Sequence, residues 1–188
     1  MRIEETKIFP YNELSDSAKE NAISEFRYVN VGHDWWENTY EDAANIGLKI
    51  SAFGLDRRRH AEGQFTLDAE EVAQKIKADH GNTAATYNTA TTYLEERKAL
   101  AVQACQDEAD EIATLPKDGW NFFDVTSLNI EYDGEILEDL EKEFLQSLLE
   151  DYSIILQNES EYLHSDEVVV ETIEANEYEF TEAGDFYC

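Results

Sequence analysis

The 188 residues carry 43 acidic against 14 basic side chains, a formal charge of −29, and 42% of them are hydrophobic, enough to bury a core rather than leave the chain disordered. So few bases exclude a direct phosphate-backbone ligand, which needs clustered Lys and Arg to release its counterions. No segment approaches the ~20 apolar residues of a membrane span, and Met1 to Pro10 lacks the apolar run of a secretory signal. Two cysteines, Cys105 in a helical pattern and Cys188, make no disulfide framework, so a reducing cytosol is expected.

Ile3 to Phe9 reads as a short strand ended by Pro10. Ser15 then caps a helix whose stripe is Ala18, Ala22, Ile23 and Phe26, with Asp16 at its positive end. Asp34 begins a second helix, with Trp36, Tyr40, Ala43 and Ala44 on one face and Gly47 as its stop. Leu48 to Leu55 and Gly63 to Leu67 form a hairpin, Arg57-Arg58-Arg59-His60 lying near its turn. Asp68 and Glu71 resemble a capping box opening the helix Ala69 to His80, closed by Gly81. A longer helix follows from about Thr83, with Tyr87, Ala90, Leu94, Ala101, Cys105 and Ile112 near helical spacing until Pro116. Trp120 to Tyr132 is aromatic and irregular, a possible strand before the Asp133-Gly134 turn. From Ile136 to Gln157, Leu137, Leu140, Phe144, Leu148, Tyr152 and Ile155 recur every three or four residues, which predicts an amphipathic helix with an acidic outside. Ser165 caps a short helix through Ile173, and Glu177 to Thr181 alternates like a strand. The expected fold is α+β: helices packed on a small antiparallel sheet, a long acidic amphipathic helix in the last third, and one domain over 1–188 with a subdivision at 118/119.

The charge is uneven. Residues 1–60 hold 11 acids and 8 bases, 61–120 hold 12 and 5, and 121–188 hold 20 and 1, the single base being Lys142. An ordinary solvated helix face mixes signs, because Glu–Lys pairs at i and i+4 stabilise it by ~0.2–0.5 kcal/mol each and like charges cost as much. Carboxylates one helix turn apart lie ~5–6 Å apart at Cβ, and two positions along one strand face ~6.6 Å; both resemble successive phosphates of a nucleic-acid strand. Glu138, Asp139, Glu141, Glu150 and Asp151 on the long helix, with Glu177 and Glu179 on the last strand, are therefore candidate partner-binding residues. The bland reading is an acidic solvated face of the kind salt-adapted proteins carry.

Other constellations carry less. Asp133-Gly134-Glu135 lacks the alternating oxygen ligands of an EF-hand, and His33, His60, His80 and His164 are too scattered for zinc. Cys105 falls in an apolar stripe, as a structural thiol does, and the eight glycines form no phosphate loop. Neither a catalytic centre nor a cofactor or metal site is expected. Of the adjacent pair Trp35 and Trp36, ~100° apart on a helix, one can be core and the other, Trp35, a partner-facing anchor; packing of both is the plain reading. Arg57 to Arg59 reads as internal neutralisation of nearby acids, an anion site being the sharper alternative.

The residues Tyr11-Asn12-Glu13-Leu14-Ser15 with Ala18-Lys19, then Asp34-Trp35-Trp36, Tyr40-Glu41-Asp42-Ala43, Gly47-Leu48-Lys49-Ile50 and Leu55-Asp56-Arg57 carry a resemblance. So do Leu149-Glu150-Asp151-Tyr152, Glu161-Tyr162-Leu163 and Ala175-Asn176-Glu177-Tyr178-Glu179-Phe180-Thr181. Across most of its length, Ala104 to Tyr132 being less typical, the chain resembles small acidic proteins of uncharacterised activity encoded by bacteriophages and prophages. The resemblance transfers no site residues. It implies a counter-defence setting in the host bacterial cytoplasm, in which anti-CRISPR proteins and other DNA mimics block the nucleic-acid groove of a host enzyme. The expected function is an inhibitor that covers a basic, nucleic-acid-binding surface of a host protein. The alternative is a phage accessory protein whose contact surface is apolar and centred on a tryptophan.

Overall fold

The computed structural model describes the backbone of residues 6–114 and 134–187, and the side chains of 6–103 and 135–187. It is an α+β chain with, among the described residues, six α-helices and two antiparallel two-stranded sheets. Its residues group into two compact units, Met1–Thr39 with Ile154–Cys188, and Tyr40–Ser153.

In the first unit, strand β1 (Ile8–Pro10) pairs with β4 (Glu179–Thr181) in the register Ile8 to Thr181 and Phe9 to Phe180. Helix α1 (Asp16–Phe26) starts where predicted: the Ser15 hydroxyl accepts from the Ala18 amide at 3.3 Å, satisfying one free donor of the first turn. Its Ala18 and Ala22 are buried, and small side chains there allow close packing on α6 (Asp166–Ala175), whose Val169 and Ile173 are buried in the same core as Phe180. Phe26 meets Phe180, Phe186 and Tyr178 with ring centroids 5.8, 5.2 and 5.0 Å apart. Helix α6 is capped by the Ser165 hydroxyl, which accepts from the Val168 amide at 3.4 Å.

In the second unit, α2 (Glu37–Asn45), which begins in the first unit, is followed by Gly47 in the left-handed region at φ 91°, the helix stop that the sequence predicts. Strands β2 (Leu48–Gly54) and β3 (His60–Phe65) form the predicted hairpin, with a bulge at Ser51 after which the inward alternation of Leu48 and Ile50 lapses. Helix α3 (Ala69–Asp79) is capped by Asp68, which accepts from the Glu70 amide at 2.9 Å, and it packs on α4 (Ala85–Thr114). Helix α5 (Gly134–Leu163) contributes its part through Ser153 to this unit and the remainder to the first. Tyr93 of α4 stacks on Phe144 of α5 at 4.3 Å within a core that includes Val72, Ile76 and Leu148.

Several boundaries differ from expectation. Trp36 precedes α2 rather than sharing its face, and of the two predicted alanines only Ala43 is buried. The stripe of α5 passes through Phe144, Leu148, Tyr152 and Leu156 at strict four-residue steps, which turns Ile155 outward to 39% exposure. Glu177 is not a strand residue. It closes α6 at φ 53°, with the Tyr178 amide donating to the Ile173 carbonyl and the Glu177 amide to that of Glu174, so the demand of the helix's last carbonyls for donors prevails over the alternating pattern. The readings of Cys105 as a stripe residue, of Trp120 to Tyr132 as a strand, of the Asp133 turn and of Cys188 lie outside the described residues.

Candidate functional site

The five acids predicted on α5 are there, but each of them has an internal partner. Glu138 and Asp139 each pair with Lys142, at 3.1 and 3.3 Å, as helical spacing requires. These contacts hold the Lys142 ammonium above its ordinary value. Glu150 binds Arg59 at 2.5 Å, and the same arginine donates through Nε to Ser153 Oγ at 3.0 Å. The expectation that the arginine run neutralises nearby acids therefore holds at Arg59. Glu141 is half-buried 3.6 Å from Arg97, which also binds Glu70 at 2.9 Å. Burial and the nearby Asp68 charge raise the Glu141 carboxyl above its usual value, and Arg97 opposes them. Asp151 is half-buried too and accepts from the Thr89 hydroxyl at 2.7 Å; burial again raises it. The expected all-outside placement of these five acids is corrected for Glu141 and Asp151, because each lies at the margin of the stripe rather than opposite it.

A long stretch of sequence without any base belongs to the first unit. Between Ile154 and Cys188 there are ten acids and no Lys or Arg. One of them, Asp166, binds Arg27 at 2.5 Å, and Asp185 accepts from the Asn21 amide at 3.1 Å. On α6, Val168, Val169 and Ile173 face the core, which turns Glu167, Glu171 and Glu174 to solvent one turn apart. None of these three side chains makes a hydrogen bond or ion pair with a described residue, and exposed Glu177, Glu179 and Glu182 follow directly in sequence. Glu174 and Asp166 still act through space, adding to the burial that raises the Tyr11 hydroxyl. Alternation singled out Glu177 and Glu179 and passed over the α6 acids; the ten-acid, base-free run is the signal that contains them.

Trp35 and Trp36 are both half-buried and meet edge to face at 5.7 Å, in the turn in which the Trp35 amide donates to the His33 carbonyl at 2.8 Å. No family model, curated protein or solved structure matches this chain. Its chemistry is therefore read from its own groups. Among the described residues no three His, Cys, Asp or Glu converge as metal ligands do, and no helix is long and apolar enough to cross a membrane.

One polar chain in the second unit combines a buried hydroxyl, a mostly buried imidazole and an exposed carboxylate. Thr86 Oγ1 lies 2.7 Å from His80 Nδ1, His80 Nε2 lies 3.7 Å from Asp42 Oδ1, and Tyr152 donates to Asp42 Oδ2 at 2.8 Å. The residue types are those of a nucleophilic triad, but Thr86 is only 2% exposed and the imidazole–carboxylate gap exceeds hydrogen-bond length, leaving Nε2 without a hydrogen-bond partner among the described residues. Its hydrogen bonds join α4 to the end of α3 and α5 to α2, running from the core at Thr86 and Tyr152 to the surface at Asp42.

Proposed function

We propose that this chain is a non-catalytic interaction protein of the phage-inhibitor type, which covers a positively charged, nucleic-acid-binding surface of a host protein with its own carboxylates. The observation that carries this reading is the base-free acidic run of the first unit, in which Glu167, Glu171 and Glu174 stand exposed and unpaired among the described residues. Carboxylates at such spacing lie ~5–6 Å apart at Cβ, which suits a surface shaped for successive phosphates. Association would be fast and salt-sensitive, since the steering field is screened by ions.

The α5 acids contribute to the overall field, but reversing them would break Arg59–Glu150 and Arg97–Glu141 as well as any partner contact. The discriminating variant is therefore Glu167→Lys with Glu171→Lys and Glu174→Lys, three exposed positions where surface changes cost within ~0.5 kcal/mol each. Host proteins captured by the wild-type chain should be released by competing duplex DNA or by raised salt, and should not be captured by this variant. Capture that resists salt and DNA, survives the triple reversal and is lost on Trp35→Ala with folding retained would sink the proposal in favour of an apolar contact surface.

A further inference from the structure

A cleft in the second unit runs between the tip of the β2–β3 hairpin and α5, has a volume of about 660 Å³, and lies within the ~300–1,000 Å³ range of small-molecule sites. Arg58, Arg59, His60 and Lys142 line it together with the half-buried Leu145 and Leu149. Three permanent cations thus converge in a chain whose acids outnumber its bases three to one; Lys142 is engaged by Glu138 and Asp139, and Arg59 by the lining carboxylate Glu150. Arg59 is held in place by Glu150 and Ser153. Arg58 differs: its carbonyl lies 3.2 Å from His60 Nδ1, but its exposed guanidinium has no hydrogen bond or ion pair to a described residue. Just before it, Arg57 adopts φ 29°, on the left-handed side that costs an L-residue roughly 1–2 kcal/mol. Backbone strain of this kind persists where the surrounding structure imposes it, and it gathers at ligand clamps.

We propose that this cleft binds a phosphate monoester with an apolar or aromatic body. The forked donors of the two arginines suit the phosphate oxygens, with Arg59 already oriented and Arg58 available to close on the ligand. A phosphate offers several oxygens to these forks, and the bonds from Arg59 to Glu150 and Ser153 fix that arginine against α5 at one wall of the cleft. Leu145 and Leu149 supply the apolar wall that a bare phosphate would leave wet. The site is separate from the acidic surface of the first unit, so either proposal can fail without the other.

The test is a calorimetric titration of the full chain with 1-naphthyl phosphate at fixed ionic strength. Saturable one-to-one binding is expected, weakened roughly tenfold or more in Arg58→Ala, the scale of one lost charge-assisted hydrogen bond. Arg58→Lys, which keeps the charge but not the fork, should fall between the two. Lys98→Ala, which removes an exposed cation of α4, should bind like wild type. Circular dichroism on each variant reports whether the fold is retained. Absence of saturation, wild-type affinity in Arg58→Ala, or equal losses in Arg58→Ala and Lys98→Ala would overturn the site. Equal affinity for 1-naphthol would overturn its anion selectivity, and equal affinity for inorganic phosphate its apolar wall.

Discussion

Among the described glycines, Gly184 has the least room for a side chain. Its φ of 89° is a glycine conformation, and a Cβ placed on it would lie 2.1 Å from the Ala18 carbonyl oxygen, a backbone atom of α1 that cannot swing away. Gly184→Ala should therefore destabilise the chain by about 2 kcal/mol or more, read as a lowered denaturation midpoint at unchanged m-value. Asp151 presents the opposite case, a residue whose charge works against the fold. Burial raises its carboxyl above the ordinary value, so the ionised form is disfavoured in the folded state, and stability is regained as pH falls through the raised folded value towards the unfolded one near ~3.9. Asp151→Asn keeps an oxygen for the Thr89 hydroxyl and removes the charge. Its Tm at neutral pH should exceed that of wild type, and the difference should close on acidification. A lower Tm at neutral pH would mean that the charged hydrogen bond outweighs desolvation.

At the scale of elements, α6 shows how a helix end can redirect a functional reading. The need to satisfy the Ile173 and Glu174 carbonyls places Glu177 in a left-handed turn, where glycine or asparagine is the usual choice. Glu177→Gly should relieve that strain and stabilise the chain by up to about 1 kcal/mol in thermal or denaturant unfolding, the lower limit of the left-handed cost, offset in part by the greater freedom of glycine when unfolded. A destabilised variant would place the contribution of Glu177 in its side chain. On α5, the sequence period identifies the buried stripe, but the partners come from two distant stretches of the second unit, Arg59 from the β2–β3 turn and Thr89 and Arg97 from α4. An acid that looks free along one helix is therefore paired once the β2–β3 hairpin and α4 pack beside it.

For the molecule as a whole, a net charge of −29 must cost stability through self-repulsion, because carboxylates crowd on folding and separate when the chain expands. Salt screens exposed charges over ~8–10 Å at 0.1–0.15 M, so the Tm should rise from low to moderate salt. Glu141 and Asp151, both raised by burial, add a pH dependence of the same sense: their ionised forms oppose folding, so the Tm should be higher at about pH 5.5 than at about pH 8. A scanning-calorimetry series over both variables checks this. A Tm that falls on both changes would mean that pairs such as Arg59–Glu150 and Arg27–Asp166 dominate, since those are what salt and acid weaken.

The sequence by itself determined the α+β class, the caps at Ser15, Asp68 and Ser165, the stop at Gly47, the hairpin with its arginine turn, and the concentration of acid in the last third. Each of these depends on chemistry within a few residues: a hydroxyl beside a free amide, a glycine at positive φ, a period of two or four. Tertiary packing decided which acids are spent on internal partners and which stand exposed, because an ion pair such as Arg59–Glu150 joins positions far apart in the chain that no local period relates. It also decided that Arg58 and Lys142 line one cleft, whereas the turn at Glu177 follows from local helix-end hydrogen bonds that the alternating pattern hid. Local patterns report how a backbone satisfies its own hydrogen bonds; only the folded chain specifies which charges meet.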